Sequence, residues 1–577
     1  MAPKKYKGLD WLRLRRFNNE RLANFGRISI VWPIGVTNRV FRSFFYILIG
    51  FLTVGIMYGC SESLIKSNGA QAGRMSATAN VSPSDISSKT FEVSQTTTQK
   101  APYQLSQQPQ TPLEVPTNTY LGDSPWPIFH RNTYAQASTP LRGPEPGDSF
   151  DIDVLNTDIG GPSPWTLLSE SYIDGTRVIW GGTTTHVFKA VANKELFELV
   201  DSYRIDRNRS SFHWNLVVLR NNKVIVADRG SNKYYKFGDA DPNDWRSKIV
   251  LEDVFEIPES IPGNAGHFSV SYDGWIIFVT DAGYIGAVNS DFSQHRSLQL
   301  PQDGSETNFH NTYALDETGG IFIATTSRML RIDWRNTEFS LAWDIPYDFR
   351  GPGCEWVSRR RRRPAREFLA VARGEKCTGS GTTPTLMGSG NDDKLVLVAD
   401  GHSPSNNLVA FWRDAVPTDW EGISGFDRRV AGIATIPYST PEGDGFTAEN
   451  SPTAWGYDIA IAQYNGFRPG CNPVKGVQKF RWNPLTRSLE LVWATDQINF
   501  NNVPTYSKGS NLVYGSGRRD CIYYFWGLNW DTGTVELEIS LGDSRDYLDQ
   551  GNQVTINDDR TAFFGSATGI VRIRPQQ

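Results

Sequence analysis

From about residue 164 onward, short apolar runs alternate with clusters of Gly, Asn, Asp and Ser, and the alternation recurs eight times. Runs of four to eight apolar residues between turn residues read as strands, because a helix needs a longer run with a 3.6-residue period. Each unit opens on a short stretch carrying a small polar residue, passes a turn, and enters an apolar strand followed by one or two more. The openers are PWTLLSESYIDG from Pro164, HWNLVVLRNN from His213, HFSVSYDG from His267 and HNTYALDETGG from His310. They continue with TPTLMGSGND from Thr383, SPTAWGYD from Ser451, VPTYSKGS from Val503 and NQVTINDD from Asn552. Steps of about 43 to 73 residues fall near the period of propeller blades. The pattern predicts an all-β, eight-bladed β-propeller, with seven blades as the alternative count. Seven units have room for four strands, but the eighth reaches Gln577 after three. A closed ring leaves no free edge, so GDSFDIDVLN, around Phe150 to Leu155, is expected to supply the missing strand.

The first 122 residues follow another pattern. Residues 1–42 carry ten Lys or Arg against Asp10 and Glu20, a net +8, which leaves −12 on the rest of a chain whose total is −4. Within LDWLRLRRFNNERLANF, Trp11, Leu14, Phe17, Leu22 and Phe25 fall on one side of a helix beside four arginines. This reads as a basic amphipathic helix for anionic lipid. Residues 43–61 are 19 uncharged positions, SFFYILIGFLTVGIMYGCS, enough for a short span. The basic flank predicts a signal anchor with a cytoplasmic N-terminus. Everything beyond it is then expected in the periplasm or an extracellular or lumenal space. Lipidation at Cys60 after signal cleavage is the alternative, although Tyr58 is bulky for such a site. Residues 62–122, rich in Ser, Thr, Gln and Pro, predict a disordered or extended linker, and residues 123–577 the propeller. The acidic bulk argues against nucleic acid as a partner.

At the head of the folded part, SPWPIFHRNTYAQAS from Ser124 resembles the W-P-x-F opening segment of the quinoprotein-like (pyrroloquinoline-quinone-type) superfamily. The resemblance implies eight blades. It does not imply the cofactor: dehydrogenases of that superfamily typically carry adjacent cysteines, and no Cys-Cys pair occurs here. Their calcium-ligand set is not recognisable either, so the quinone is not expected. The superfamily also holds non-catalytic propellers, among them the lipoprotein of the outer-membrane barrel-assembly machinery, and the tethered layout is similar to that style.

Candidate chemistry gathers at three places. His213, His267 and His310 hold one position in three successive openers, where inner strands border the channel. Neutral imidazole is a common ligand for transition metals, so the cluster is a candidate metal or ligand site, with Glu449 and Asn450 at a later opener. Arg359, Arg360, Arg361, Arg362 and Arg363 are consecutive, lie between Cys354 and Cys377, and suit a carboxylate, sulfate or phosphate partner. Cys354, Cys377, Cys471 and Cys521 form an even set, and proximity favours pairing 354 with 377 and 471 with 521. Asp239, Asp241 and Asn243 have D-x-D-x-N spacing without the Gly and distal Glu of a calcium loop, which reads as a turn.

Two functions follow from this reading. One is a binding or scaffolding subunit that holds a protein partner in a membrane-associated assembly. The other is a metal-dependent oxidoreductase or hydrolase at the channel mouth, built on the three histidines. No catalytic constellation with a specific spacing is present, and the first reading is favoured.

Overall fold

The computed structural model describes residues 115–157, 165–193, 195–205, 215–229, 231–301, 312–349, 380–402, 406–437, 450–465, 470–549 and 553–576. The basic segment 1–42, the apolar run 43–61 and the linker up to residue 114 lie outside them. Among the described residues no helix is long and apolar enough to cross a membrane.

Eight sheets form the body among the described residues, so the blade count is eight and not seven. They are antiparallel except where Ser138–Thr139 adds in parallel to the inner strand of one of them. Blades 1 to 8 span residues 167–204, 216–256, 265–299, 314–346, 385–435, 453–495, 505–542 and 555–575. Each begins with a short inner strand at the predicted opener and steps outward through antiparallel neighbours. Apolar side chains of adjacent blades interdigitate around the whole ring. Ile277 and Ala287 of blade 3 pack with Leu315 and Ile332 of blade 4, for example. Leu512 and Phe525 of blade 7 pack with Phe564 and Val571 of blade 8.

Ring closure follows the expectation. Phe150–Asn156 pairs antiparallel with Gly569–Pro575, the third strand of blade 8, from Phe150 opposite Pro575 to Asn156 opposite Gly569. Arg572 bonds Asp153 at 2.6 Å, and Arg574 pairs with Asp151. Gly569 is required here, since a Cβ would lie 1.9 Å from the Leu155 carbonyl oxygen.

The folded body starts before residue 123, where the composition placed the end of the linker. Asn118 and Leu121 are buried, and Leu121 bridges to Leu219. From there to residue 139 the chain runs inside the ring as a collar. Its carbonyls at Trp126, Pro127, Thr133, Tyr134, Gln136 and Ala137 accept from Leu168, Val218, Leu315, Leu386, Ala454 and Tyr506 of blades 1, 2, 4, 5, 6 and 7. Asn118 Nδ2 donates to the Val270 carbonyl of blade 3, and the His130 amide donates to Gln553 Oε1 of blade 8. Inner strands present an unpaired edge to the axis, and the collar satisfies it, as buried backbone groups require. The wrapping forces four non-glycine residues, His130, Arg131, Ala135 and Ala137, to φ of 62°, 72°, 57° and 51°. Each such residue costs about 1–3 kcal/mol and persists only where its surroundings over-determine it.

Two hydrogen-bond series tie blade to blade. On the inner strands, Thr385, Thr505 and Thr555 donate their hydroxyls to Pro452, Val554 and Thr166 carbonyls at 2.7–2.8 Å, and Thr453 donates to Pro504. On the third strands, one register position holds Lys189, Lys236, Arg331, Lys479 and Arg572 in blades 1, 2, 4, 6 and 8. Each reaches the far end of the next blade's third strand. Lys236 donates to the Ser290 carbonyl, Arg331 to Arg413, Lys479 to Trp530 and Arg572 to Asn193, all at 2.7–3.1 Å. Lys189 contacts Asp239 there at 2.5 Å. Blades 3, 5 and 7 carry Ala287, Ala410 and Gly527 at this position.

Candidate functional site

The inner strands run from the openers at one end of the channel to tight turns at the other, with the collar between. At the opener end His267 lies on Ala265–Val270, where a register shift between Ala265 and Phe268 interrupts the ladder. The imidazole is buried, and Asn215 Nδ2 donates to its Nδ1 at 2.7 Å. Asn215 heads blade 2 two residues after His213, so the openers of blades 2 and 3 do meet at the channel wall. His213, His310 and Glu449 lie outside the described residues. Asn450 is buried, and its amide bridges the Gln463 and Phe500 carbonyls at 3.3 Å each, which occupies both donors between blades 6 and 7. Among the described residues no group of three or more His, Cys, Asp or Glu is placed to hold a metal.

The residue at the centre of this end is His130, in the opening segment, which no spacing in the sequence singles out. The collar lifts it onto the axis. It is 1 % exposed, its Nε2 lies 3.2 Å from Thr383 Oγ1 of blade 5, and its amide holds Gln553 of blade 8 at 2.6 Å. His130 Nδ1 and Gln553 Nε2 are buried without a hydrogen-bond partner among the described residues. Beside the imidazole is a slot of about 10 Å³, bordered by the stacked pair Phe129 and Trp165, by Asn215 and by Thr312. That is room for about one water molecule.

Burial holds the His130 imidazole down to about 3, from an ordinary 6.5. The folded site therefore stays neutral where the unfolded chain takes up a proton. Its contribution is whole above pH 6.5 and is lost at about 1.4 kcal/mol per pH unit as the pH falls toward 3. Between pH 6.5 and pH 5 this amounts to about 2 kcal/mol. His130→Asn, which tolerates the left-handed backbone, is expected to flatten the acid limb of the stability profile by that amount. Urea titrations of both proteins at pH 7 and pH 5 give the comparison, and identical slopes would show that the imidazole is protonated in the fold.

The other predicted residues divide. Cys471 and Cys521 form a disulfide between a loop of blade 6 and a hairpin of blade 7, reinforced by Cys521 N donating to the Cys471 carbonyl at 3.1 Å. Cys354, Cys377 and Arg359 to Arg363 lie outside the described residues. Asp241 accepts from the Asn243 amide at 3.0 Å in an ordinary turn, while Asp239 faces inward to Lys189 and Tyr172.

An uncharacterized protein of Archaeoglobus fulgidus is 32 % identical to this chain over 446 residues, covering 73 % of this chain and 81 % of that protein. No family model matches. Among solved structures, a europium-containing methanol dehydrogenase aligns at a TM-score of 0.47 and 10 % identity, covering 78 % of this chain and 91 % of its own. Quinohemoprotein alcohol dehydrogenase from Comamonas testosteroni aligns at 0.45 and 12 %, covering 78 % and 82 %. BamB from Moraxella catarrhalis aligns at 0.36 and 11 %, covering 61 % and 94 %.

Proposed function

The chain belongs to one family with the Archaeoglobus fulgidus protein, and from that premise we propose that it is a membrane-anchored propeller that holds a protein partner in a membrane-associated assembly. In this reading residues 43–61 are the anchor, residues 1–42 stay cytoplasmic on anionic lipid, and the propeller stands on the exoplasmic side. The collar is the observation that carries it. The chain's own segment occupies the axis and bonds to all eight blades, leaving about 10 Å³ beside His130. Recognition then falls to the end faces and the loops around them. The Cys471–Cys521 disulfide suits an oxidising compartment, and the five arginines from Arg359 offer planar donors to an acidic partner.

The test is isolation of the full-length protein from its native membrane in mild detergent, with and without crosslinking. A stoichiometric partner is expected, weakened at least tenfold when Arg359 to Arg363 are all changed to Ser, as losing several charge-assisted contacts implies. A monomer without a partner before and after crosslinking would overturn the proposal.

A further inference from the structure

Below the collar, at the turn end of the channel, lies a cavity of about 280 Å³. It is distinct from the slot at His130 and close to the lower limit for sites of small organic ligands. Its lining includes Asp123, Arg131, Asn132, Arg220, Ser389 and Trp455. Arg131, at φ 72°, belongs to the same wall, and strain held by an over-determined scaffold is common at ligand clamps.

We propose that this cavity binds one ring of a neutral saccharide. Trp455 is half-buried, with Tyr506 against it edge-on at 5.8 Å and Lys508 Nζ 5.3 Å from its ring centre. It also lines the cavity, where the indole offers a flat apolar surface for the C–H face of a pyranose. Around it stand donors and acceptors in mixture. The Asp123 side chain is 85 % exposed, and its carboxylate accepts no hydrogen bond within the described residues, its nearest cation being Arg220 at 3.8 Å. Arg220 is already paired with Glu170 at 3.1 Å. Vicinal hydroxyls give and accept hydrogen bonds at once and match such a lining. An apolar ligand would leave the polar groups unpaired. An anion would face Asp123, and a cation would face Arg131 and Arg220.

Saturation-transfer NMR on the full-length protein tests this, in a detergent without a sugar head group, with glucose, N-acetylglucosamine and glucuronate as probes. Transfer from at least one neutral sugar is expected at roughly 10 mM, with binding in the millimolar range. Trp455→Ala is expected to abolish it. Because Trp455 packs on Tyr506, the second variant is Asp123→Asn on the exposed side chain, expected to weaken binding about tenfold without loss of folding. No transfer from either neutral sugar overturns the proposal. So does glucuronate binding more tightly than glucose, or neutral-sugar binding unchanged in both variants. Partner binding is a separate matter: Asp123→Asn is expected to leave it intact.

Discussion

Proline at Val571 is expected to cost at least ~4 kcal/mol and to uncouple the ring at its seam. Val571 is fully buried in the third strand of blade 8, opposite Val154 on one side and Phe564 on the other. Proline there removes a ladder donor and places its ring in the middle of a sheet, worth about 3 kcal/mol or more, and disturbs a packed core in addition. The position makes the loss global. In an open stack of repeats a damaged unit frays locally, but here the same strand holds the closing segment Phe150–Asn156. A body of this size has a large unfolding entropy, so 4 kcal/mol lowers the melting midpoint by only about 4 °C. Limited proteolysis is the sharper readout. Cleavage between residues 140 and 165 should appear in Val571→Pro at temperatures where the parent is intact, with Val571→Ala as the control for lost volume. Equal protection of that segment in Val571→Pro would show that closure does not depend on this pairing.

The seam was legible because strand periodicity and turn residues count blades, and a ring that lacks one strand must find it elsewhere. All eight openers became inner strands for the same reason. The one predicted cysteine pair that lies among the described residues, Cys471 with Cys521, also formed as proximity suggested. The collar was not legible. Its residues have no strand alternation, and their partners lie as far away as Gln553, so nothing local in SPWPIFHRNTYAQAS announces that His130 is raised onto the axis. His267 lies buried on the first strand of blade 3, and nothing in the opener pattern states that Asn215 orients it. Side chains between blades were hidden for a related reason. Periodicity states which face of a strand is buried and does not state against what. Lys189, Arg331 and Lys479 interrupt apolar strands, and each is buried against the next blade, which no alternation of apolar and polar positions states. Asp239 was likewise read from its spacing to Asp241, whereas its partner is Lys189, 50 residues earlier in the chain.

That pair gives the second large effect: Lys189→Met is expected to destabilise the protein by about 3–5 kcal/mol. The two side chains are 0 % and 1 % exposed, the ammonium donates to Asp239 Oδ1 at 2.5 Å and to the Ser247 carbonyl at 2.8 Å, and the Tyr172 hydroxyl donates to Asp239 Oδ2 at 2.6 Å. Burial already holds the Asp239 carboxyl above its usual range, against the pull of Lys189 and Tyr172. Removing the lysine leaves a carboxylate with one neutral donor in a space that cannot solvate it. Its folded-state pKa must then rise further, so the variant should regain stability as the pH falls and Asp239 takes up a proton, the reverse of the His130 effect. Lys189→Met combined with Asp239→Asn removes both charges and should recover most of the loss. Urea midpoints of the single and double variants at pH 7 and pH 5 separate the possibilities. A double variant no more stable than Lys189→Met would mean that the other contacts of the lysine, among them its ammonium 5.8 Å from the Trp180 ring centre within blade 1, and not the charge pair, set the loss.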